Sequence, residues 1–234
     1  MQASWRSELS AAFTVSLDME QIMGTKKQAD ITLGGKAVSA QIFFRAPGAA
    51  GSAPDTRTRL QRRAQVTESV RRAVVERIRA NNAAGAQQFD VASRQNDMVA
   101  LFVEDAARNG VDGNDVADVA ALYWITAWSV VHRHAPTTPE IAAVRAQVRG
   151  ALAQAPELLA ASDDEKQEMA DDMIFQLMLL QAAFEQARAR KDDAALSMLA
   201  QSTWQTALQN KVDLRAMRLG DDGLVEAPAA RAMS

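Results

Sequence analysis

The sequence predicts a mainly α-helical fold, an irregular bundle of about five to six helices with a small β-hairpin near the N-terminus. Three observations support this prediction. The 234 residues are 48% hydrophobic but only 5% aromatic, with many alanines, a composition that favours helices over sheets. Several segments carry apolar residues at helical spacing behind an N-capping residue. The chain is also long enough to bury a core without disulfides, and it contains no cysteine.

The N-terminal residues 1–54 are predicted to form a segment distinct from the helices that follow. Between residues 9 and 19 the apolar positions fit a helix, which we favour, but they also alternate as in a strand. Apolar residues alternate on both sides of Gly34 and Gly35, which predicts a β-hairpin over residues 31–44. An isolated hairpin is marginally stable, so it is expected to pack on the rest of the chain.

A stretch rich in proline and glycine marks the boundary of this segment. Residues 46–54 contain two prolines and two glycines among small side chains, which is typical of a flexible linker. The helical domain is therefore expected to span residues 55–226. A disordered tail is expected over residues 227–234.

Six helices are predicted in the helical domain. Each is recognised by apolar residues at helical spacing, with a capping residue before them or a break after them. In chain order, the helices are expected from the N-cap Asp55 to a stop formed by Asn81, Asn82 and Gly85; over residues 90–108; from Asn114 or Asp115 to Val131; from the N-cap Thr138 to an interruption at Pro156; from a capping box at Ser162 to Phe184; and over residues 192–210. After the last helix, a short extended piece is expected within residues 212–225.

The segment from Val116 to Val131 is apolar on nearly all sides. Its only charged residue is Asp118. A helix that is apolar all round is expected to be buried. The sequence therefore places this helix at the centre of the bundle.

Three residues of that helix are candidates for lining a ligand pocket. Trp124, Trp128 and His132 are four residues apart and share one face of the helix. Such a row could hold a ligand, with the imidazole as a polar group. The interpretation that we favour is that both tryptophans anchor the core and that His132 marks the point where the helix reaches solvent.

Two segments have some features of metal sites, but neither meets the requirements. His132 and His134 form a His-x-His pair at a helix end, where the rings diverge, and the chain has no other histidine. The segment Asp112–Asp118 is rich in oxygen atoms, but it lacks the glycine and the glutamate of a calcium-binding loop. No metal site and no cofactor are predicted.

The strongest charge asymmetry lies in residues 57–79, where eight arginines face two glutamates. Residues 163–172 have the opposite character, with six acidic residues and one lysine. The two segments are expected to neutralise one another. The arginines surround the predicted helix, so a solvated helix is favoured, and binding to an anionic partner or membrane surface is the alternative. The candidates for such a surface are Arg62, Arg63, Arg71 and Arg72.

Composition and motifs exclude several classes of protein. The formal net charge of −3 and the pI of about 5.5 disfavour a general nucleic-acid binder. No stretch approaches the roughly 20 apolar residues of a membrane span. The chain has no nucleophile elbow, Walker loop, zinc-protease motif or dinucleotide-binding glycine motif after a strand. These observations favour a protein that is not an enzyme, although dispersed catalytic residues would leave no motif.

The segments Asp115–Trp128, which contains Tyr-Trp-Ile-Thr-Ala-Trp, and Ala161–Asp172 resemble the central part of an uncharacterised bacterial domain-of-unknown-function family. The resemblance runs from about residue 55 to residue 225. Members of that family have a signal peptide, a variable linker-rich N-terminal part and a helical domain. The resemblance implies export to the periplasm or beyond, and it implies no particular activity. The first six residues lack the pattern of a signal peptide, so export requires that the peptide has been removed; a cytoplasmic protein is the alternative.

Three functions are consistent with the sequence. The first is a non-enzymatic protein of the bacterial envelope that contacts another protein or a second copy of itself. The second is a protein that binds or hydrolyses a small ligand near Trp124, Trp128 and His132. The third is binding to an anionic surface through the arginine-rich helix.

Overall fold

Helices make up most of the residues that the computed structural model describes, which are 31–44 and 56–227. The mainly α-helical fold is therefore confirmed. Three short 3-10 helices and two β-hairpins complete the described part. Its helices are α1 (Ala64–Arg79), α2 (Ala83–Gln95), α3 (Met98–Arg108), α4 (Val116–His132), α5 (Thr138–Leu152), the single turn α6 (Pro156–Leu159), α7 (Asp163–Arg190) and α8 (Asp193–Gln209), and its strands are β1 (Thr32–Leu33), β2 (Lys36–Ala37), β3 (Met217–Gly220) and β4 (Gly223–Glu226).

Helix α4 lies at the centre of the bundle, as the sequence predicts. Every residue from Val116 to Val130 is buried, and the helix packs against α5, α7 and α8. Burial of each large apolar side chain stabilises the fold by about 1.5–3 kcal/mol, so this helix contributes strongly to the core. No helix in the described ranges has both the length and the apolar character needed to cross a bilayer.

Helix α7 is the longest helix and the second core element. It packs against α1, α3, α4 and α8. Its start confirms the predicted capping box: the Ser162 hydroxyl accepts from the backbone N–H of Glu165, and the Glu165 carboxylate accepts from that of Ser162. The acidic first turn also complements the helix dipole.

The first helix begins later than the sequence predicts. Helix α1 starts at Ala64, because the preceding residues pair with the loop before α4. Arg59 forms a β-bridge with Asp115, and the Leu60 N–H donates to the Asn114 carbonyl over 3.0 Å. This extended pairing uses backbone groups that a helix would otherwise bond internally.

The predicted end of that helix is in fact the start of the next one. The Asn82 side chain caps α2 by accepting from the Gly85 N–H over 2.9 Å, and Gly85 is buried inside α2. The single helix predicted over residues 90–108 is two helices, because Asn96 is extended and Asp97 caps α3. Asparagine and glycine occur at both ends of helices, so their presence alone did not show whether a helix begins or ends at these residues.

The break between α4 and α5 is predicted correctly, but the capping residue is shifted by one. Thr137, not Thr138, forms a capping box with Glu140, and Pro139 occupies the second helical position. Helix α5 ends at Leu152, and the expected interruption at Pro156 begins the single turn α6.

The predicted N-terminal hairpin is present but short. Thr32 pairs with Ala37, and Leu33 with Lys36, around two glycines with positive φ. The alternation then ends, because residues 40–44 form a 3-10 helix whose Phe43 is fully buried beside Trp124. Residues 31–44 thus belong to the same core as the helices. The helix or strand expected near residues 9–19, the linker over 46–54 and the tail from 228 lie outside the described residues.

The extended piece expected within residues 212–225 is the antiparallel hairpin β3–β4. It is fixed to α5 by one side chain. The Gln147 amide donates to the Leu224 carbonyl over 2.8 Å and accepts from the Leu224 N–H over 2.9 Å. Gly223 beside it has a φ of 93° and lies so close to Gln147 that a side chain would not fit.

Candidate functional site

A cavity of about 110 Å³ lies at the C-terminal end of α4, where α4 faces α7. Helix α4 and the residues after it form one wall, and the last third of α7 forms the other. The lining contains uncharged polar, charged and apolar side chains in similar numbers. They are Thr126, Ser129 and Gln181; Arg133, His134, Glu185 and Arg188; and Val130, Ala135 and Phe184.

Two polar side chains of this lining are buried without a partner. Ser129 and Gln181 are each 7% exposed. Neither the Ser129 hydroxyl nor the nitrogen and oxygen of the Gln181 amide forms a hydrogen bond in the described part of the chain. Such a group costs about 1–3 kcal/mol when it stays unsatisfied, so native proteins seldom retain one without a reason. Both residues line the cavity, so three side-chain hydrogen-bonding atoms without partners belong to its walls.

Arg133 is held at the junction of α4 and α8. Its backbone adopts the left-handed conformation at the end of α4, and its backbone N–H donates to the Ser129 carbonyl. Its Nη2 donates to the Ser197 hydroxyl over 2.6 Å and to the Asp193 carbonyl over 3.4 Å. The Asp193 carboxylate is 3.8 Å from Nη1 and strongly exposed, so it neutralises the guanidinium only weakly.

Arg188 provides a second positive charge from α7. Its Nη1 lies 3.3 Å from the Glu185 carboxylate, and its guanidinium lies 5.8 Å from the centre of the Phe184 ring. Two arginines and one glutamate give the lining a charge of +1 when His134 is neutral. The cavity thus favours an anion over a cation.

The aromatic row predicted as a pocket lies on an adjoining face of α4. At about 100° per residue, Ser129 and Arg133 lie about 100° around the helix axis from Trp128 and His132. The Trp128 and His132 rings are stacked with centroids 4.4 Å apart. Trp128 Nε1 donates to the Met217 carbonyl over 3.1 Å, and His132 Nε2 is 2.8 Å from the Leu214 carbonyl. These two residues therefore fix the C-terminal segment.

Trp124 is deeper in the core than the other two members of the row. It is 1% exposed, and its ring meets those of Phe43, Phe44 and Tyr123. Its Nε1 has no hydrogen-bond partner among the described residues. His134 joins the row to the cavity, because it lies edge-on to Trp128 with centroids 5.8 Å apart and also lines the cavity.

The candidate surface arginines all bind carboxylates. Arg62 is mostly buried and pairs with the fully buried Asp171, and Arg71 pairs with Glu68 and Asp90. Arg63 and Arg72 are exposed, but they too are paired, with Asp164 at 3.1 Å and with Glu68 at 2.7 Å.

Three ion pairs run between the arginine-rich and acidic segments. They are Arg62 with Asp171, Arg63 with Asp164, and Arg77 with Asp172. The expected neutralisation of these two segments is thus confirmed.

A second buried charge cluster joins the start of α4 to α5. The Asp118 carboxylate is fully buried and accepts from Arg145 and Arg149, each at 2.6 Å, and from the Asp112 N–H. Nearby, burial raises the pKa of Asp115 above its ordinary value. Within the described ranges, no group of three or more histidine or acidic side chains is placed to hold a metal ion.

The family model described as "Family of unknown function (DUF6683)" matches residues 21–226. The chain belongs to DUF6683. This confirms the resemblance to a family of unknown function. The DUF6683 match contains every described helix and both hairpins, so the cavity lies inside the family domain. No curated protein and no solved structure matches the chain.

The cavity lining combines residues that the sequence did not single out. A signal was present, because Ser129 and Gln181 are polar residues inside apolar helical segments. The aromatic residues of α4 were the more conspicuous feature. The aromatic residues that the sequence singled out and the cavity share helix α4, but the aromatic row lies on an adjoining face.

Proposed function

We propose that this protein is a non-enzymatic binding protein for a small polar molecule, held in the cavity between α4 and α7. One observation carries the proposal: the Gln181 amide and the Ser129 hydroxyl are buried at the cavity without partners among the described residues. A ligand that bonds to these atoms recovers the free energy lost on burying them. The same atoms would therefore give the binding its specificity.

Binding is favoured over hydrolysis by the state of Ser129. A serine nucleophile needs a base within hydrogen-bond reach. In the described part of the chain, the Ser129 hydroxyl has no hydrogen bond to a histidine or a carboxylate. His134, which also lines the cavity, has its ring against Trp128.

The volume limits the size of the ligand. A volume of about 110 Å³ is somewhat smaller than the roughly 150 Å³ cavity that accepts benzene in an engineered protein. The ligand should therefore have about six non-hydrogen atoms or fewer.

The test uses two buried glutamines of α7 that differ in one respect. Gln181 has no hydrogen-bond partner among the described residues, whereas Gln176, with similar burial, bonds to the Tyr123 hydroxyl and to Asp172. We expect Gln181→Leu to abolish ligand binding without lowering the free energy of unfolding. Gln176→Leu should lower that free energy by about 1–3 kcal/mol and leave binding intact.

The measurement combines chemical unfolding with thermal shifts in a panel of small polar metabolites. A ligand at 100 times its Kd should stabilise the wild type by about 2.7 kcal/mol. A panel in which no compound raises the melting temperature, together with equal destabilisation by both glutamine variants, would contradict the proposal. If no compound has an effect and Gln181→Leu is tolerated, the cavity holds only ordered water, and this outcome also contradicts the proposal.

The other two functions receive less support from the described surface. Its large exposed apolar side chains are Val91 on α2 and Met198 and Leu208 on α8. These are too few for a typical apolar docking surface. The four arginines proposed for an anionic surface are already paired with carboxylates, which reduces the charge they can offer to a lipid or polymer.

We also infer that the protein acts in the bacterial envelope, outside the cytoplasm, where it would bind its ligand in the periplasm or beyond. The support is the resemblance to a family whose members carry a signal peptide. A fusion of the natural full-length gene product to a reporter that is active only after export tests this. Reporter activity confined to the cytoplasm would overturn it.

A further inference from the structure

We propose that the ligand is a short monocarboxylate with a hydroxyl or oxo group, bound through its carboxylate to Arg133 and Arg188 and through its other polar group to Gln181. This inference rests on the proposed binding function and assigns its chemical class.

The charge of the lining points to a single negative charge. Arg133 and Arg188 together exceed Glu185 by one positive charge, so a monoanion makes the cavity neutral. A phosphate dianion would leave a net negative charge in a partly enclosed space, which is unfavourable. A carboxylate also matches the planar guanidinium, which can donate two parallel hydrogen bonds.

Both arginines retain N–H groups for such a contact. Within the described residues, the hydrogen bonds of Arg133 use Nη2, and those of Arg188 use Nη1. Nε of Arg133 and both Nε and Nη2 of Arg188 are therefore available to a second acceptor, and Arg133 Nη1 has only the exposed Asp193 carboxylate, at 3.8 Å. The two residues come from different walls of the cavity, α4 and α7, so one carboxylate would join them.

The uncharged part of the lining describes the rest of the ligand. Gln181 both donates and accepts, and Ser129 does the same, so each pairs with a hydroxyl, and each can donate to an oxo group. Val130, Ala135 and Phe184 provide apolar contacts for a short carbon chain. Three-carbon 2-hydroxy and 2-oxo acids, with six non-hydrogen atoms, have the required size and combination of groups.

The experiment compares charged and neutral probes by calorimetric titration of the whole chain. Lactate and pyruvate are the positive probes. Lactamide replaces the carboxylate of lactate with a neutral group of the same shape, propionate lacks the hydroxyl, and alanine carries an added positive charge. We expect lactate or pyruvate to bind at least tenfold more tightly than each of these three.

Two arginine variants and one control connect this preference to the residues. Arg133→Gln and Arg188→Gln should each weaken lactate binding by about 10- to 100-fold, as expected for a hydrogen bond between charged groups. Arg79→Gln is the control, because Arg79 pairs with Glu76 three residues away, as Arg188 does with Glu185, but does not line the cavity. It should leave the lactate affinity unchanged.

The outcomes separate this inference from the function on which it rests. Equal affinities for lactate and lactamide, unchanged in both cavity variants, would overturn the carboxylate assignment while preserving small-molecule binding. Failure of every compound, with Gln181→Leu and Gln176→Leu equally destabilising, would overturn both. The Arg188→Gln variant keeps the test decisive if Arg133→Gln unfolds, because Arg188 makes no contact with α8 among its described hydrogen bonds.

Discussion

The indole nitrogen of Trp128 donates a 3.1 Å hydrogen bond to the backbone oxygen of Met217, so the central helix directly holds the start of the C-terminal hairpin. Both residues are buried. The oxygen would therefore have no water to bond if the indole were removed.

Trp128→Phe should lower the free energy of unfolding by about 1.5–3 kcal/mol, because it leaves that oxygen unsatisfied and weakens the stack on His132. Denaturant unfolding measures the change. Trp204→Phe is the control, because the Trp204 indole bonds to Asp213 at the surface, and its loss should cost about 1 kcal/mol or less. Equal costs for the two variants would argue against a buried anchor at Trp128.

Asp118→Asn should destabilise the protein by about 2–4 kcal/mol. The change leaves Arg145 and Arg149 without the buried carboxylate that both of them bind. Asp222→Asn breaks an exposed pair with Arg218, and it should lower the free energy of unfolding much less than Asp118→Asn does. Thermal or denaturant unfolding of both variants checks the contrast, and a loss at Asp118 as small as that at Asp222 would contradict it.

Glu68 predicts a dependence of stability on acid pH. Hydrogen bonds from Arg71 and Arg72 lower its pKa from about 4.5 to about 2. A lowered pKa in the folded state stabilises the protein above pH 4.5, and this stabilisation is lost as the pH falls towards 2. The side chain is partly exposed, so the contribution is about 1 kcal/mol or less.

The measurement is the difference in free energy of unfolding between the wild type and Glu68→Gln, taken by urea unfolding at several pH values. Other acidic groups titrate in both proteins and cancel. The difference should shrink between pH 4.5 and pH 2. A constant difference over that range would show that the arginines do not act on Glu68.

Gly223→Ala should cost about 2–4 kcal/mol. Its φ of 93° strains any other residue, and the added Cβ would lie 2.3 Å from Gln147 Oε1, so the amide would have to release Leu224. Gly35→Ala is the matched control, because its φ of 72° is also positive but no atom lies within 4 Å of the added Cβ. It should cost only about 1–2 kcal/mol. Similar costs at both positions would mean that the Gln147 contact contributes little.

The sequence predicted the elements that depend on local signals. The apolar segment from Val116 to Val131 indicated the central helix, and Ser162 with Glu165 indicated the start of α7. It did not predict the start of α1, because the pairing of Leu60 with Asn114 joins residues far apart in the chain.

The cavity could not be predicted from local sequence signals, for the same reason. Ser129 and Gln181 line the same cavity only because α4 packs on α7. The periodicity of apolar residues describes each helix separately and gives no information on this packing. The aromatic residues of α4 were the stronger signal, and they indicated an adjoining face of the helix. A search for isolated polar residues within apolar helices would have found both Ser129 and Gln181.

The two hydrogen bonds between the Gln147 amide and the Leu224 backbone affect whether copies of this protein can associate through a strand edge. A side-chain amide that bonds to both the N–H and the C=O of one residue imitates an adjoining strand. Two-stranded ribbons otherwise present open rows of backbone donors and acceptors, which promote edge-to-edge aggregation. Here Gln147 from α5 occupies the backbone groups of Leu224 on the free edge of β4. The hairpin is therefore less able to pair with a strand of another copy.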